Sequence, residues 1–354
     1  MTATMAPPAG THGHEHAHAI LREARAWVEP TMRGLVGRLD GDLARICGHH
    51  LGWSEPDRTP PGDREDGTAL RPALTQVAAG LVGTEDSVAV ECACAVQLLH
   101  HAALLHDDVI DRDRIRRGVS SGQSQSNVSA GVLAGDALMG LALAAVAGAD
   151  RSCGRGLFVL AETITAVHNG RQQELNLATR PVTGQDTVTL DECLAMAGNK
   201  TGALLGAALA LPAACLPAVA TTTVNALYLA GRHLGIAIHC VDDIRRLWGD
   251  PRTASTPAHT DPRSAGKSIP IVLALRGTCS DAVADALKEL SEVDTVADRR
   301  WSRMTARLAE SGCRDATMAI ATREADRSLR YLRTAGREST VAEALVGYVL
   351  GRAS

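Results

Sequence analysis

Aromatic residues are scarce in this chain: Phe, Trp and Tyr together make up 2% of its 354 residues, and Phe158 is the single phenylalanine. Hydrophobic residues nevertheless account for 45% of the sequence, so a buried core has to be built from Ala, Leu, Val and Ile. Ala and Leu are among the best helix formers because they lose little side-chain freedom in a helix. The composition therefore predicts an all-α fold.

The sequence also lacks a strong charge excess and any pattern of paired cysteines. A formal net charge of −4 provides no basic surface for nucleic acid. The nine cysteines are scattered, odd in number and without a CxxC pair, which disfavours disulfides or zinc and favours a reducing, cytoplasmic environment. The N-terminus shows no signal-peptide pattern, and charges interrupt the apolar runs before about 18 residues. We therefore expect no nucleic-acid partner and no transmembrane segment.

The order of segments predicts one large helical domain behind a short tail. Residues 1–19 are rich in Pro, Gly, Thr and His, so we expect a disordered His-rich tail, and residues 20–354 are predicted to form a single domain. Beyond Leu70, apolar periodicity predicts helices over 70–83, 86–112, 129–147, 155–178, 190–211, 220–248, 268–276, 280–291, 296–311, 313–334 and 340–351. The long segments 114–127 and 249–266 are predicted to be binding loops.

Two clusters of carboxylates follow apolar helical runs. In LLHDDVIDRDRIRRG, Asp107, Asp108 and Asp111 are three or four residues apart or adjacent, so they share one face of a helix. A second apolar run, GIAIHCVDD, ends in Asp242 and Asp243. Carboxylate oxygens suit Mg²⁺, which usually completes its coordination with substrate phosphate. The two clusters predict a magnesium site between two helices.

These motifs resemble those of a known family. LLHDDVIDRDRIRRG resembles the first aspartate-rich motif of the trans-isoprenyl diphosphate synthases (the polyprenyl synthetase family), and VDDIRRLWGD resembles the second motif in its actinobacterial form. ALRPAL, AGDAL, NKTGALL and KSIPIVLAL fall at matching places in the same order. The resemblance covers residues 20–352. It implies an isoprenoid-synthase-type helical bundle around a central cavity, and a homodimer.

The resemblance implies a reaction and a set of residues for it. In this family an allylic diphosphate is ionised and condensed with isopentenyl diphosphate, with Mg²⁺ bound between the two acidic clusters. The implied catalytic residues are Asp107, Asp108, Asp111, Lys200, Asp242 and Asp243, the five aspartates being the metal ligands. The implied substrate-binding residues are Arg116, Lys200, Thr201 and Lys267 for the allylic diphosphate, Arg71, His100 and Arg117 for isopentenyl diphosphate, and His239 in place of a family glutamine.

The chain departs from the family pattern where substrate would bind. Thr68 and Thr256 stand in place of two lysines, and Arg171 stands in place of a glutamine, three residues before the acid Glu174. Each missing charged hydrogen bond weakens diphosphate binding by about 1.5–3 kcal/mol. The departures keep two alternatives open, a class I terpene cyclase on the same fold and a weakly active subunit of a heteromeric prenyl synthase.

Product length is predicted from the residues just before the first aspartate. Ala102 and Ala103 are both small, so they leave the floor of the family's substrate pocket open. This favours a product longer than farnesyl, with geranylgeranyl diphosphate as the first expectation. The competing interpretation is that the two alanines simply pack against a neighbouring helix.

Overall fold

The computed structural model describes residues 9–53, 66–110, 115–116, 119–120, 128–151, 154–181, 184, 186–249, 268–276, 280–291, 298–336 and 338–353. Its helices are α1 Ala9–Val36, α2 Gly41–His50, α3 Asp66–Val82, α4 Asp86–Ile110, α5 Val128–Ala149, α6 Arg155–Thr179, α7 Leu190–Ala197, α8 Ala203–Ala214, α9 Thr221–Trp248, α10 Ile269–Ala274, α11 Ser280–Ser291, α12 Asp298–Glu310, α13 Cys313–Ala335 and α14 Thr340–Gly351. A π-helical segment, Gly198–Gly202, joins α7 to α8, and strands β1 (Ile115–Arg116) and β2 (Val119–Ser120) form a short hairpin.

The predicted all-α fold is confirmed, because helices dominate the described residues and the only strands among them are the two of that hairpin. Helix boundaries beyond Leu70 agree with the predicted ranges to within a few residues: α6, for example, spans Arg155–Thr179 where 155–178 was expected. The helix boundaries agree because apolar periodicity is a local signal that does not depend on the tertiary packing.

The predicted tail is wrong for residues 9–19, because α1 already begins at Ala9. Ala17 is fully buried and continues the stripe of Leu21, Ala24 and Val28, which are three or four residues apart on one face of the helix. The sequence prediction missed the buried role of Ala17 because the histidines around it suggested a solvated tail. Residues 1–8 lie outside the described part of the chain.

The main core is built from small aliphatic side chains and from close contact between helix backbones. One cluster of buried residues runs from Ala17 in α1 to Val349 in α14. At Gly235 in α9, an added Cβ would lie 2.4 Å from the Cα of Gly202, so the two backbones touch there. A second, smaller cluster joins the end of α9 to α10, α11 and α12. Organisation of residues 20–354 as a single domain stays a prediction.

Three helical stretches are long and apolar enough to cross a membrane, which corrects the expectation that charges interrupt every apolar run. They are Asp86–Ile110, Val128–Ala149 and Leu190–Ala214, and the buried shares of their most apolar windows are 72%, 44% and 72%. These three stretches are long and apolar enough by their length and composition alone. In the first and third stretches most of the apolar surface packs inside the protein, whereas α5 leaves more of it exposed.

The described cysteines are all buried, and none of them forms a disulfide. Burial raises the pKa of the Cys47 thiol to about 11 and that of the Cys94 thiol to about 12. Cys92 and Cys215 bring their sulfur atoms to 3.7 Å in the core. These thiols act as small apolar residues in the packing.

A buried carboxylate, Glu324, connects α9 to α13. His233 Nδ1 lies 2.7 Å from one carboxylate oxygen, and Arg327 donates to the other at 2.8 Å. Burial by itself would raise the pKa of Glu324, but the hydrogen bond to His233 and the charge of Arg327 outweigh it and lower the pKa below 4.5. Glu324 therefore stabilises the fold as a charged group.

We expect Glu324→Gln to lower the free energy of unfolding by about 2 kcal/mol at neutral pH, the typical contribution of hydrogen bonds to a charged group. Because the folded-state pKa is lowered, this contribution is present above the unfolded pKa of about 4.5 and is lost as the pH falls through the folded pKa. Urea unfolding of the wild type and the variant at several pH values measures the difference. The exposed Glu338→Gln is the control, and an equal loss in both variants would contradict the assignment.

Candidate functional site

A cavity of about 310 Å³ is lined by both charged and apolar residues. Its walls come from α3, α4, α5, α6, the π-helical segment and α8. The apolar lining residues are Ala103, Leu104, Val109, Ile110, Val132, Val167 and Leu204. The polar and charged lining residues are Arg71, His100, His106, Asp107, His168, Arg171, Lys200 and Thr201.

The π-helical segment positions Lys200 and Thr201 in this cavity. The helix that starts at Leu190 changes to the wider π geometry at Gly198 and returns to α geometry at Ala203. Such π-helical turns inside α-helices are frequent at functional sites. The sequence predicted one helix over this range, and only the structure shows that its backbone changes where Lys200 and Thr201 lie.

A glycine contact brings α6 against the π-helical segment. An added Cβ at Gly170 would lie 2.4 Å from the backbone nitrogen of Lys200, so only glycine permits this approach. The next residue along α6 is Arg171. Because Gly170 touches the backbone of Lys200, the side chains of Arg171 and Lys200 lie beside each other at the cavity.

Four charged residues form a cluster around Asp107, and we call them the Asp107 cluster: Asp107, Arg171, Glu174 and Lys200. Arg171 Nε lies 3.0 Å from Asp107 Oδ1, and Lys200 Nζ lies 3.8 Å from Asp107 Oδ2. Lys200 Nζ also lies 2.5 Å from Glu174 Oε2, and Arg171 pairs with the same Glu174 oxygen. The side chains of Asp107 and Arg171 are only 14% and 13% exposed.

The charges of the Asp107 cluster change the pKa of Glu174. Burial by itself would raise the pKa of Glu174, but the charges of Lys200 and Arg171 and their hydrogen bonds outweigh it and lower the pKa to about 2. Glu174 is therefore ionised at neutral pH. Two anions and two cations balance each other in this cluster.

The second predicted acidic cluster is not part of the lining of this cavity, which includes neither Asp242 nor Asp243, and His239 does not line it either. Asp242 is 45% exposed and pairs with Arg352, 3.2 Å away. Asp243 is 2% exposed, and its Oδ2 accepts a hydrogen bond from the backbone N–H of Ile269 at the start of α10. The two adjacent carboxylates thus face different partners, and their shared metal role stays a prediction.

Asp108 is buried in α4, next to Asp107, but does not line the cavity. The other predicted residues fall partly or wholly outside the described structure. Only the backbone of Arg116 is described, in β1, while Asp111, Arg117, Lys267 and Thr256 lie outside the described residues. Within the described residues no three His, Cys, Asp or Glu side chains are grouped closely enough to hold a metal ion.

Of the predicted substrate-binding residues, Arg71, His100, Lys200 and Thr201 meet in one cavity with Asp107. Ala103 also lines it, whereas Ala102 is fully buried outside it. Sequence reasoning missed His106 and His168 as lining residues. His168 is three residues before Arg171 and so lies on the same face of α6, which is a signal that helical spacing could have supplied.

The fold and the site together define a class of protein: an all-helical bundle with a cavity that is lined by both apolar and charged side chains. Residues 64–305 match the family model described as polyprenyl synthetase. The (2E,6E)-farnesyl diphosphate synthase of Mycobacterium tuberculosis is 34% identical over 253 residues, which are 71% of this chain and 68% of that protein. The geranylgeranyl diphosphate synthase of the same organism is 34% identical over 262 residues, 73% of this chain and 72% of that protein.

Among solved structures, the polyprenyl synthetase from Streptomyces coelicolor A3(2) superposes with a TM-score of 0.82 at 29% identity, covering 94% of this chain and 98% of that one. The chain therefore belongs to the polyprenyl synthetase family, a family of prenyltransferases. The resemblance inferred from the aspartate-rich motifs is confirmed. Since both of these sequence relatives are diphosphate synthases, the comparisons do not favour a terpene cyclase or a weakly active subunit.

Proposed function

We propose that the protein is a Mg²⁺-dependent prenyltransferase that condenses isopentenyl diphosphate with an allylic diphosphate. One observation carries this proposal. A single cavity presents Asp107, Lys200, Arg71 and Thr201 beside an apolar lining. An allylic diphosphate has the same two parts, a polyanion and an apolar chain, and the named relatives make such compounds.

The described residues have complementary tasks in the proposed reaction. Arg71 and Lys200 bind diphosphate oxygens, Arg71 through the planar fork of its guanidinium, and Thr201 donates its hydroxyl. The apolar walls, including Leu104, Val167 and Leu204, keep water away from the carbocation. Water would otherwise capture the cation before isopentenyl diphosphate does.

The donor set suits magnesium. Asp107 presents a carboxylate to the cavity, and Asp108 adjoins it on α4. These two residues, with Asp111 and with Asp242 and Asp243 of the second motif, would hold the ions. Bound Mg²⁺ supplies a Lewis acid that stabilises the charge on the leaving diphosphate.

A direct incubation tests the function. Purified protein, Mg²⁺ and isopentenyl diphosphate are combined with each allylic diphosphate in turn, and the products are sized by chromatography. We expect an elongated prenyl diphosphate, with geranylgeranyl diphosphate as the main product. A hydrocarbon or alcohol formed from geranylgeranyl diphosphate alone would show a cyclase instead. No product without a second, standard synthase would show a subunit.

We further propose that the protein is a homodimer joined through α5. The exposed large hydrophobic residues of the described chain are confined to the end of α4, to α5 and to α6: Ile110, Val128, Val132, Leu133, Leu143 and Phe158. We call them the exposed apolar face; Leu133 is 57% exposed and Phe158 is 65% exposed. Since Ile110 and Val132 also line the cavity, a second copy seated on this face would cover one side of it.

We expect Leu133→Glu to convert the dimer to a monomer, because the carboxylate would be buried without a partner at the interface. Size-exclusion chromatography with light scattering measures the mass. Ala306→Glu on the exposed side of α12 adds the same charge away from the face and should remain dimeric. A wild-type monomer, or a dimeric Leu133→Glu protein, would contradict this interface.

A cytoplasmic location also remains part of the proposal. The described cysteines are buried and none of them forms a disulfide, as is usual in a reducing compartment. Fractionation of cells followed by immunodetection tests the location directly.

A further inference from the structure

Arg171 lies beside Asp107, the first aspartate of the predicted metal-binding motif, and is therefore close to a carboxylate that a metal ion would bind. We propose that Arg171 is the resident counter-ion of Asp107: it neutralises this carboxylate when no substrate is bound and moves to the diphosphate when the substrate arrives with its metal ions. The inference rests on the proposed function, because the diphosphate is the substrate of that function.

Both oxygens of the Asp107 carboxylate lie near a cationic side chain of the protein. Oδ1 lies 3.0 Å from Nε of Arg171, and Oδ2 lies 3.8 Å from Nζ of Lys200. A metal ion that binds Asp107 has to approach the same oxygens. The guanidinium is the nearer of the two groups, so it is the one that the metal displaces.

From the charge balance of the Asp107 cluster we expect metal alone to bind poorly. Asp107 and Glu174 contribute two negative charges, and Arg171 and Lys200 contribute two positive charges. A divalent cation gains little attraction from a balanced cluster, and it is repelled by the nearby guanidinium. With glutamine at position 171 the same cluster would carry an excess of one negative charge and would attract the metal.

When Arg171 moves away from Asp107, the other carboxylate that it contacts, Glu174, still has a cationic partner. Glu174 keeps Lys200 as a partner at 2.5 Å when Arg171 moves. Arg171 lines the cavity together with Arg71 and Lys200, so its new position is beside the diphosphate that those residues bind. The planar guanidinium suits phosphate oxygens, to which it donates in pairs. Metal and diphosphate are therefore expected to bind together rather than metal first.

Metal titration of the protein without substrate tests the counter-ion. Mn²⁺ replaces Mg²⁺ as the probe, and unbound Mn²⁺ is measured by electron paramagnetic resonance. We expect Arg171→Gln to bind Mn²⁺ at least about tenfold more tightly than the wild type, which corresponds to about 1.4 kcal/mol. Arg171→Lys keeps the charge and should resemble the wild type. Arg45→Gln removes an exposed arginine charge on α2 and is the matched control.

A second titration tests the transfer of Arg171 to the diphosphate. In saturating Mg²⁺, inorganic pyrophosphate should bind Arg171→Gln about tenfold more weakly than it binds the wild type, since one charged hydrogen-bond donor is lost. Arg171→Met removes the same charge with an apolar chain of similar length, so agreement of the two variants excludes an effect of glutamine itself. Circular dichroism confirms that each variant is folded.

Equal Mn²⁺ affinity in the wild type and the charge-removing variants would contradict the assignment of Arg171 as the counter-ion of Asp107. The absence of Mn²⁺ binding by all of these proteins would contradict it as well. Unchanged pyrophosphate affinity would overturn the transfer. Neither titration requires turnover, so the two proposals fail separately. A protein that makes prenyl product without these shifts refutes only this inference, whereas one that shows the shifts but makes no product refutes the proposed function.

Discussion

Asp107→Asn should lower turnover with isopentenyl and allylic diphosphates by about 1,000-fold or more, because a lost metal contact removes several kcal/mol of transition-state stabilisation. Of the two aspartates of the first motif that the structure describes, Asp107 and Asp108, only Asp107 lines the cavity. The amide keeps the shape of the carboxylate but loses its charge. It also leaves Arg171 and Lys200 facing a single anion, Glu174. Steady-state rates at saturating Mg²⁺ measure the effect.

The comparison for Asp107→Asn is Asp42→Asn, which removes an exposed carboxylate on α2 that does not line the cavity. Its turnover should equal that of the wild type. Circular dichroism should show the same helical content in all three proteins. If Asp107→Asn kept full turnover, Asp107 would have no part in binding metal, and the assignment of the first motif would be wrong.

Ala103→Phe should shift the main product to a chain at least one isoprene unit shorter. Ala103 lines the cavity of about 310 Å³ beside Leu104 and Val167, so a phenyl ring at this position fills space that a growing prenyl chain needs. Overpacking of this kind is tolerated only where the ring finds room, and here the room is the cavity itself. Product sizing by chromatography after incubation with isopentenyl diphosphate measures the shift.

Ala102→Gly is the control for product length, because Ala102 is fully buried and does not line the cavity. Glycine inside a helix costs about 1 kcal/mol of stability, but it should leave the distribution of products unchanged. If Ala103→Phe gave the same products as the wild type, the prenyl chain would grow in another direction. The interpretation that both alanines only pack against a neighbouring helix would then hold for Ala103 as well.

The extent of agreement between sequence and structure differs between helices and site. Helices such as α6 and α9 were predicted nearly to the residue, because their apolar positions recur every three or four residues and this period is independent of neighbours. The start of α1 was missed because Ala17, a small residue among histidines, shows its apolar role only when packed. The same reasoning explains the unpredicted π-helical segment, since no local pattern marks it.

The sequence by itself determined that this chain is helical, that two acidic motifs follow apolar helices, and that the ordered motifs resemble one family. These features are local, or they depend only on order along the chain. The tertiary structure alone decided that Arg171 and Lys200 share Asp107, that Asp242 and Asp243 face different partners, and that the exposed apolar face borders the cavity. Each of these relations joins residues that are far apart along the chain, and helix packing, with its close contacts at Gly170 and Gly235, brings them together.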